Sequence, residues 1–175
     1  QSIDFGMTSF SAQCSSVDCL VDNFYSYSFL GLIESKKISL NFRQNSFDGV
    51  LLVNGLNLNS LTHSLYKDIF GVIDGHIVLN GNLQNPRIKG YLIAQDVSFL
   101  NVKLGNGPLS LLIENQKLEK SSKNDIVVSL SSRLKNNSFL SDIRASYAYE
   151  QKTINIDANL DKILLSSFKI NNNWP

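Results

Sequence analysis

Charge is scarce in this sequence. Asp, Glu, Lys and Arg make up only 18% of the residues, and 16 basic side chains against 15 acidic ones leave a net charge of +1. That balance offers no long-range attraction to nucleic acid or to an anionic membrane surface. Asn and Ser supply much of the polarity instead. Long apolar runs are also lacking, and none approaches the ~18 residues of a membrane-spanning helix. No signal sequence is visible and the chain does not begin with Met. Gln1 and Trp174-Pro175 read as cut ends of a longer protein, with any membrane anchor expected in the missing part.

Cysteine is limited to Cys14 and Cys19. On one extended strand, residues five apart point to opposite faces and lie ~17 Å apart, whereas a disulfide needs Cα atoms within ~7 Å. The expectation is two unlinked thiols; a bond requires a turn at Ser15-Ser16-Val17, which serine tolerates well. The spacing does not suit zinc, and His63 and His76 are far away in sequence.

Catalytic motifs are missing as well. No Gly-x-Ser-x-Gly is present. His63 on a candidate helix and His76 on a polar strand face read as solvated residues rather than general bases. Asp157 and Asp161 share a strand face ~13 Å apart; with Asp74 and Asp96 they read as solvating charge, not a glycosidase pair. Gly71, Gly75, Gly81 and Gly90 lie within strands rather than before a helix, so they are not a phosphate loop; they suggest a curved sheet. Calcium-loop spacing is absent. Asn136-Asn137-Ser138 reads as a chance glycosylation match, and Lys117, Lys120 and Lys123, interleaved with acids, as a solvated loop. The expectation is a protein without catalytic residues, metal or cofactor.

What the sequence does have is period-two alternation. In 71–83, Ile73, Gly75, Ile77, Leu79, Gly81 and Leu83 share one face, opposite Asp74, His76, Asn80 and Asn82, with Val72 and Val78 as apolar exceptions. A turn at Gln84-Asn85-Pro86-Arg87 follows, because Pro cannot donate to a ladder. Ile88, Gly90, Leu92 and Ala94 share the next face. The phase then slips to Val97 and Phe99, which predicts a β-bulge near Gln95-Asp96. A turn is expected at Gly105-Asn106-Gly107-Pro108. Beyond it come Leu109, Leu111 and Ile113, then Ile126, Val128, Leu130 and Leu134. Ile143, Ala145, Tyr147 and Tyr149 follow, and then Ile154, Ile156, Ala158 and Leu160.

Upstream the pattern is looser. Ile3, Phe5 and Met7 suggest a strand, as do Tyr25, Tyr27 and Phe29, and Ile38, Leu40 and Phe42. Phe47–Leu56 is apolar on both faces and is expected to be covered on both sides. Leu58, Leu61, Leu65 and Ile69 recur at helical spacing, with Asn57 or Asn59 as a possible N-cap, and predict a short helix near 58–69 that plugs the sheet. The expected fold is all-β: one unit over 1–175 with a regular antiparallel meander over 71–165. The order of strands in residues 1–70 is left open by the pattern.

Residues 70–100 resemble a known pattern. Gly71, Gly75, Gly81, Leu83, Asn85, Pro86, Gly90, Leu92 and Asp96 match a Gly-x-x-x-Gly strand that ends in Gly-x-Leu-x-Asn-Pro and is followed by x-x-Gly-x-Leu-x-x-x-Asp. This resembles the repeating strand-turn-strand of the TamB family, the inner-membrane subunit of the translocation and assembly module, with the AsmA-like proteins as wider relatives. The match covers about a third of the chain closely, and Cys14 and Cys19 form no part of it.

The resemblance implies a periplasmic segment of a protein anchored in the bacterial inner membrane. It implies a single antiparallel sheet curled into a U-shaped trough, a β-taco, with an apolar interior. It further implies phospholipid transport between the two membranes, outer-membrane biogenesis and protein secretion. The partners implied are phospholipid and an outer-membrane barrel assembly protein, with membrane contact outside this segment. The lining expected from the alternation is Ile73, Ile77, Leu79 and Leu83; Ile88 and Leu92; Leu109, Leu111 and Ile113; Ile126, Val128 and Leu130; Ile143 and Tyr147; and Ile154, Ile156 and Leu160. Two other readings fit the same alternation: a scaffold that binds strands of outer-membrane proteins, autotransporters among them, by strand addition, and a closed extracellular β-sandwich.

Overall fold

The computed structural model describes residues 6–28, 30–62, 69–82, 84–117, 124–136, 140–149 and 152–161. They form one open antiparallel sheet of ten strands in sequence order. The strands are β1 (Met7–Cys14), β2 (Asp18–Ser28), β3 (Gly31–Asn41), β4 (Ser46–Asn57), β5 (Ile69–Asn82), β6 (Pro86–Phe99), β7 (Val102–Lys117), β8 (Asn124–Lys135), β9 (Leu140–Ala148) and β10 (Thr153–Asp161), with one helical turn, α1 (Leu58–Thr62), between β4 and β5. The sheet is not closed into a barrel. No second sheet packs on it among the described residues, so they build no sandwich.

Asparagine and serine, which stand in for charge in the composition, close the hairpins. Ser15 Oγ accepts the backbone N–H groups of Val17 and Asp18 at 3.0 and 3.1 Å. Asn41 Oδ1 accepts from Gln44 N–H at 2.9 Å. Asn82 Oδ1 accepts from Gln84 and Asn85 at 3.0 and 2.7 Å, a side chain mimicking a backbone turn. Asn57 caps α1: its Oδ1 accepts the Ser60 N–H at 3.2 Å.

Two sequence expectations are corrected here. The turn between β6 and β7 lies at Leu100-Asn101, both at positive φ (49° and 65°), as a tight hairpin turn requires. Gly105-Asn106-Gly107-Pro108 instead lies inside β7. A Cβ on Gly107 would overlap the Arg133 carbonyl, so glycine serves close strand approach there. The second correction concerns the cysteines. Cys14 and Cys19 are disulfide-bonded across the β1–β2 hairpin, with Cα atoms 4.0 Å apart. The turn at 15–17 folds the chain back and makes them direct register partners.

The bulge falls where the phase slip places it. The β6–β7 register shifts between Ala94 and Val97, Asp96 adopts φ 50°, and its N–H donates to Asn106 Oδ1 at 2.6 Å. Ala94 and Val97, three apart, are therefore both buried in one cluster.

The core is thin: two buried clusters lie on one side of the sheet, and on the other side Val127 and its register partner Ala148 are also buried. Val53, Ile73 and Leu92 form one buried cluster, joined by Leu56, Leu58, Ile77 and Leu109. Ala94, Val97 and Leu134 form a second, joined by Leu58, Leu104 and Leu109. Leu58 belongs to both, so the described turn of α1 packs on the sheet; the helix expected near 58–69 is described only over Leu58–Thr62, and Ile69 opens β5 instead of closing the helix. His63 and Leu65 lie outside the described residues. Leu134 of β8 reaches Ala94 and Val97 of β6 across the intervening β7. Gly105 and Gly107 are the β7 partners of Val97 and Ala94, so no β7 side chain stands between them. Second-neighbour strands in a flat sheet are ~9.6 Å apart, so the sheet bends sharply at this point.

β4 departs from expectation. Val53 is buried, but Val50 and Leu52 on the opposite face are 43% and 37% exposed. A single-layered sheet has nothing to cover that second face, so the strand is covered on one side only.

Candidate functional site

In an antiparallel ladder, register partners point to the same face. Tracing partners from strand to strand therefore maps what each face carries. One row runs through all ten strands: Ala12, Val21, Ile38, Gly49, Leu79, Ile88, Ile113, Val128, Tyr147 and Ile154. No position in it is charged. At ~4.8 Å per strand it extends ~43 Å. A parallel row from β4 to β10 holds Leu51, Ile77, Gly90, Leu111, Leu130, Ala145 and Ile156. A third holds Val53, Gly75, Leu92, Leu109, Ser132, Ile143 and Ala158, with Ser132 its one polar member. Ile73 is aligned with Ala94, Ile126 with Asn115, and Leu160 with Ser141.

The register thus brings sixteen of the seventeen expected lining positions onto one face; Leu83 lies outside the described residues. Ile154 and Leu160 are placed by register only.

Accessibility along this face is uneven. Ile73 and Leu92 are 5% and 8% exposed, inside the cluster under Leu58, so they act as core rather than as an open lining. The positions between are half-buried. Over β8 and β9 the face is mixed: Leu134 and Ser141 are buried, Val128, Ile143 and Ala145 are half-buried, and Leu130 is 41% exposed; on β10 Ile156 is 71% exposed. Part of the difference follows from α1: its Leu58 packs against the clusters that hold Ile73, Leu92 and Leu134, and Leu130 and Ile156 belong to neither.

The other face is mainly polar. Over β7–β10 a shallow recess of about 450 Å³ is lined both by polar residues of this face, such as Ser129, Arg144 and Asp157, and by Leu112, Leu130 and Ile156. Asp142 accepts from Arg133 at 3.1 Å, which joins β9 to β8, and lies 3.7 Å from Arg144 of its own strand; both arginines are exposed, so the pairs are worth little in water. His76 stacks on Tyr91 with ring centroids 5.2 Å apart. Asp74 accepts the Gly55 N–H at 2.7 Å and the Gln95 amide at 3.0 Å, a bracing role between β4, β5 and β6. Among the described residues no group of three or more His, Cys, Asp or Glu could hold a metal ion. No helix among them is long and apolar enough to cross a membrane.

The place of Ala12 and Val21 at the start of the long row, the alignment of Ile38 with them, and the bridging part played by Leu58 were not read from sequence. Alternation shows which residues of one strand share a face; it does not show which strands align. No protein-family model matches the chain, no curated protein is similar to it in sequence, and no solved structure is similar to it in fold.

Proposed function

We propose that this chain is a non-enzymatic segment of a TamB-like, AsmA-like envelope protein, whose sheet curls into a trough that holds phospholipid acyl chains on their way between inner and outer membranes. The observation that carries this reading is the uncharged row running through all ten strands of a single-layered sheet, with Leu130, Tyr147 and Ile156 exposed on the same face. A soluble domain that needs only a core covers such a face with a second layer. Here the face is long enough for an acyl chain, which spans about half of the ~30 Å hydrocarbon core of a bilayer. Each methylene moved onto it from water contributes about 0.8 kcal/mol. A surface without charges or directional polar groups holds such a chain without fixing it at one point, as transport needs. The Cys14–Cys19 bond supports an oxidising compartment such as the periplasm.

The test is mass spectrometry of an organic extract of the detergent-free protein. Phospholipid near one equivalent, lost in a folded Leu130→Asp variant, is the expected result. A lipid-free protein overturns the reading. If that protein instead binds extended amphipathic peptides, the strand-binding scaffold takes its place.

A further inference from the structure

We infer that a cleft at the end of the sheet, where β6 and β8 stop and β7 begins, binds a phosphodiester through Lys103 and Lys135, with a phospholipid headgroup as its source. The source rests on the trough reading; the site rests on the chemistry of the cleft. The cleft measures about 400 Å³, within the range of small-ligand sites. Lys103 lies at the start of β7 and Lys135 closes β8, so both stand at the same end of the sheet as the β6–β7 turn. Lys135 is the register partner of Asn106, three residues along β7 from Lys103. The two lysine backbones are therefore roughly 10 Å apart, a gap that two long side chains close around one phosphate. The Asn136 amide donates to the Lys103 carbonyl, which ties β8 to β7 at this point without a ligand.

The charge in the cleft is unbalanced. Among the described residues neither lysine forms an ion pair with a carboxylate. Asp96 also lines the cleft, so two cations against one anion leave one unit of positive charge, which a phosphodiester monoanion neutralises. Neutral donors stand beside the lysines. Ser98 brings a hydroxyl, and Asn106, whose Oδ1 already accepts the Asp96 N–H, has its Nδ2 left to donate. Ammonium, amide and hydroxyl donors are what phosphate oxygens accept from. The recess at the opposite strand ends has Asp18 and Asp48 as its charged lining and repels the same group.

The cleft also borders the apolar face. Val97, buried in the second cluster on that face, forms part of its wall. Lys135 and the exposed Leu130 are both on β8, ~17 Å apart along the strand, about the reach of one acyl chain. A headgroup held at the strand ends thus leaves its chains to lie on the apolar face. Both lysines are exposed, so their hold on the phosphate is screened by water and reversible, as transport requires.

The test is NMR titration of the isotope-labelled 175-residue chain with two probes. One is glycerophosphoethanolamine, a headgroup without acyl chains; the other is dihexanoyl phosphatidylethanolamine below its micelle concentration. Both are expected to shift the amides of Ser98, Lys103, Asn106 and Lys135, the lipid at lower concentration and with a further shift at Leu130. In Lys103→Gln/Lys135→Gln, checked for native circular dichroism, both dissociation constants rise about tenfold or more. Lys37→Gln, at an exposed lysine of β3, leaves them unchanged, which general attraction of anions to the surface does not produce. A lipid that binds the double variant as tightly as the wild type overturns the inference and leaves the trough reading standing. A headgroup that binds through the lysines, with no gain from acyl chains, upholds the phosphodiester site and overturns its lipid source together with the trough. No shift at these amides up to about 10 mM of either probe overturns the inference.

Discussion

Neighbouring positions in one row of this sheet respond differently to the same substitution, because cover and not pattern sets the cost. Ile77 packs against the Val53, Ile73 and Leu92 cluster, while Leu130, three strands along the row and the direct partner of Leu111, is 41% exposed. A carboxylate placed at Ile77 loses water without gaining a partner, at a cost of several kcal/mol. At Leu130 it stays hydrated. Ile77→Asp is therefore expected to unfold at markedly lower denaturant than Leu130→Asp, which keeps near-native stability; equal midpoints in urea titrations count against an open face at Leu130. Val53, among the most completely buried side chains described, gives a second gauge. Val53→Ala is expected to cost about 2–3 kcal/mol through lost contacts and the cavity left behind. Gly75 tests backbone rather than packing. It sits at φ 140°, and a Cβ there would overlap the Tyr91 carbonyl, so Gly75→Ala forces β5 and β6 apart. It should destabilise at least as much as Val53→Ala although it removes no atom.

Whole strands add effects that no single residue shows, and the β1–β2 hairpin is the clearest case. β1 buries none of its side chains, so it is held by ladder hydrogen bonds, by the Thr8 and Ser11 hydroxyls donating to Ser26 and to the Asp22 carbonyl, and by the Cys14–Cys19 bond. Closing a loop this short contributes about 2 kcal/mol in the chain-entropy view. In Cys14→Ser/Cys19→Ser, amide exchange across β1 should quicken some tenfold or more while β5–β7 keep their protection; unchanged protection in β1 shows that the ladder and the hydroxyl bonds hold it without the disulfide. The same hairpin marks where sequence reading stops. From Gly71 on, alternation identified strands, faces and even the bulge at Asp96, because each strand has one wet and one apolar side. It did not reveal the disulfide, since strand separation is a property of extended chain and the deciding fact was a turn. It misplaced the β6–β7 turn because Gly105 and Gly107 look like turn residues when they are sites of close strand approach. It read cover onto both faces of β4 because Val50 and Leu52 are apolar, and composition cannot tell an exposed valine from a packed one. The candidate face was legible strand by strand. Its continuity was not, since register arises only when the strands align.

At the scale of the molecule, every strand pairs only with its neighbours in sequence. Such an arrangement is close to one-dimensional: stability is a sum of hairpin interfaces and local packing, as in repeat proteins, and not the property of one shared core. Both buried clusters, and Leu58 which joins them, draw on β4–β8. β1, β2, β9 and β10 contribute nothing to either. The sheet should therefore open from its ends. Native-state hydrogen exchange is expected to show a gradient, with the slowest amides in β5–β7 and protection falling toward β1 and β10. Denaturant unfolding should be broad, with different midpoints for probes in the centre and at the edges. A single transition with uniform exchange would mean that the outer strands are coupled to the centre by contacts other than the ladder. The gradient has a functional side under the proposed reading. Ile156 and Tyr147, exposed on the apolar face, lie on β10 and β9, the strands outside both clusters, so a lipid can enter there without disturbing the packed centre that keeps the ten strands in register.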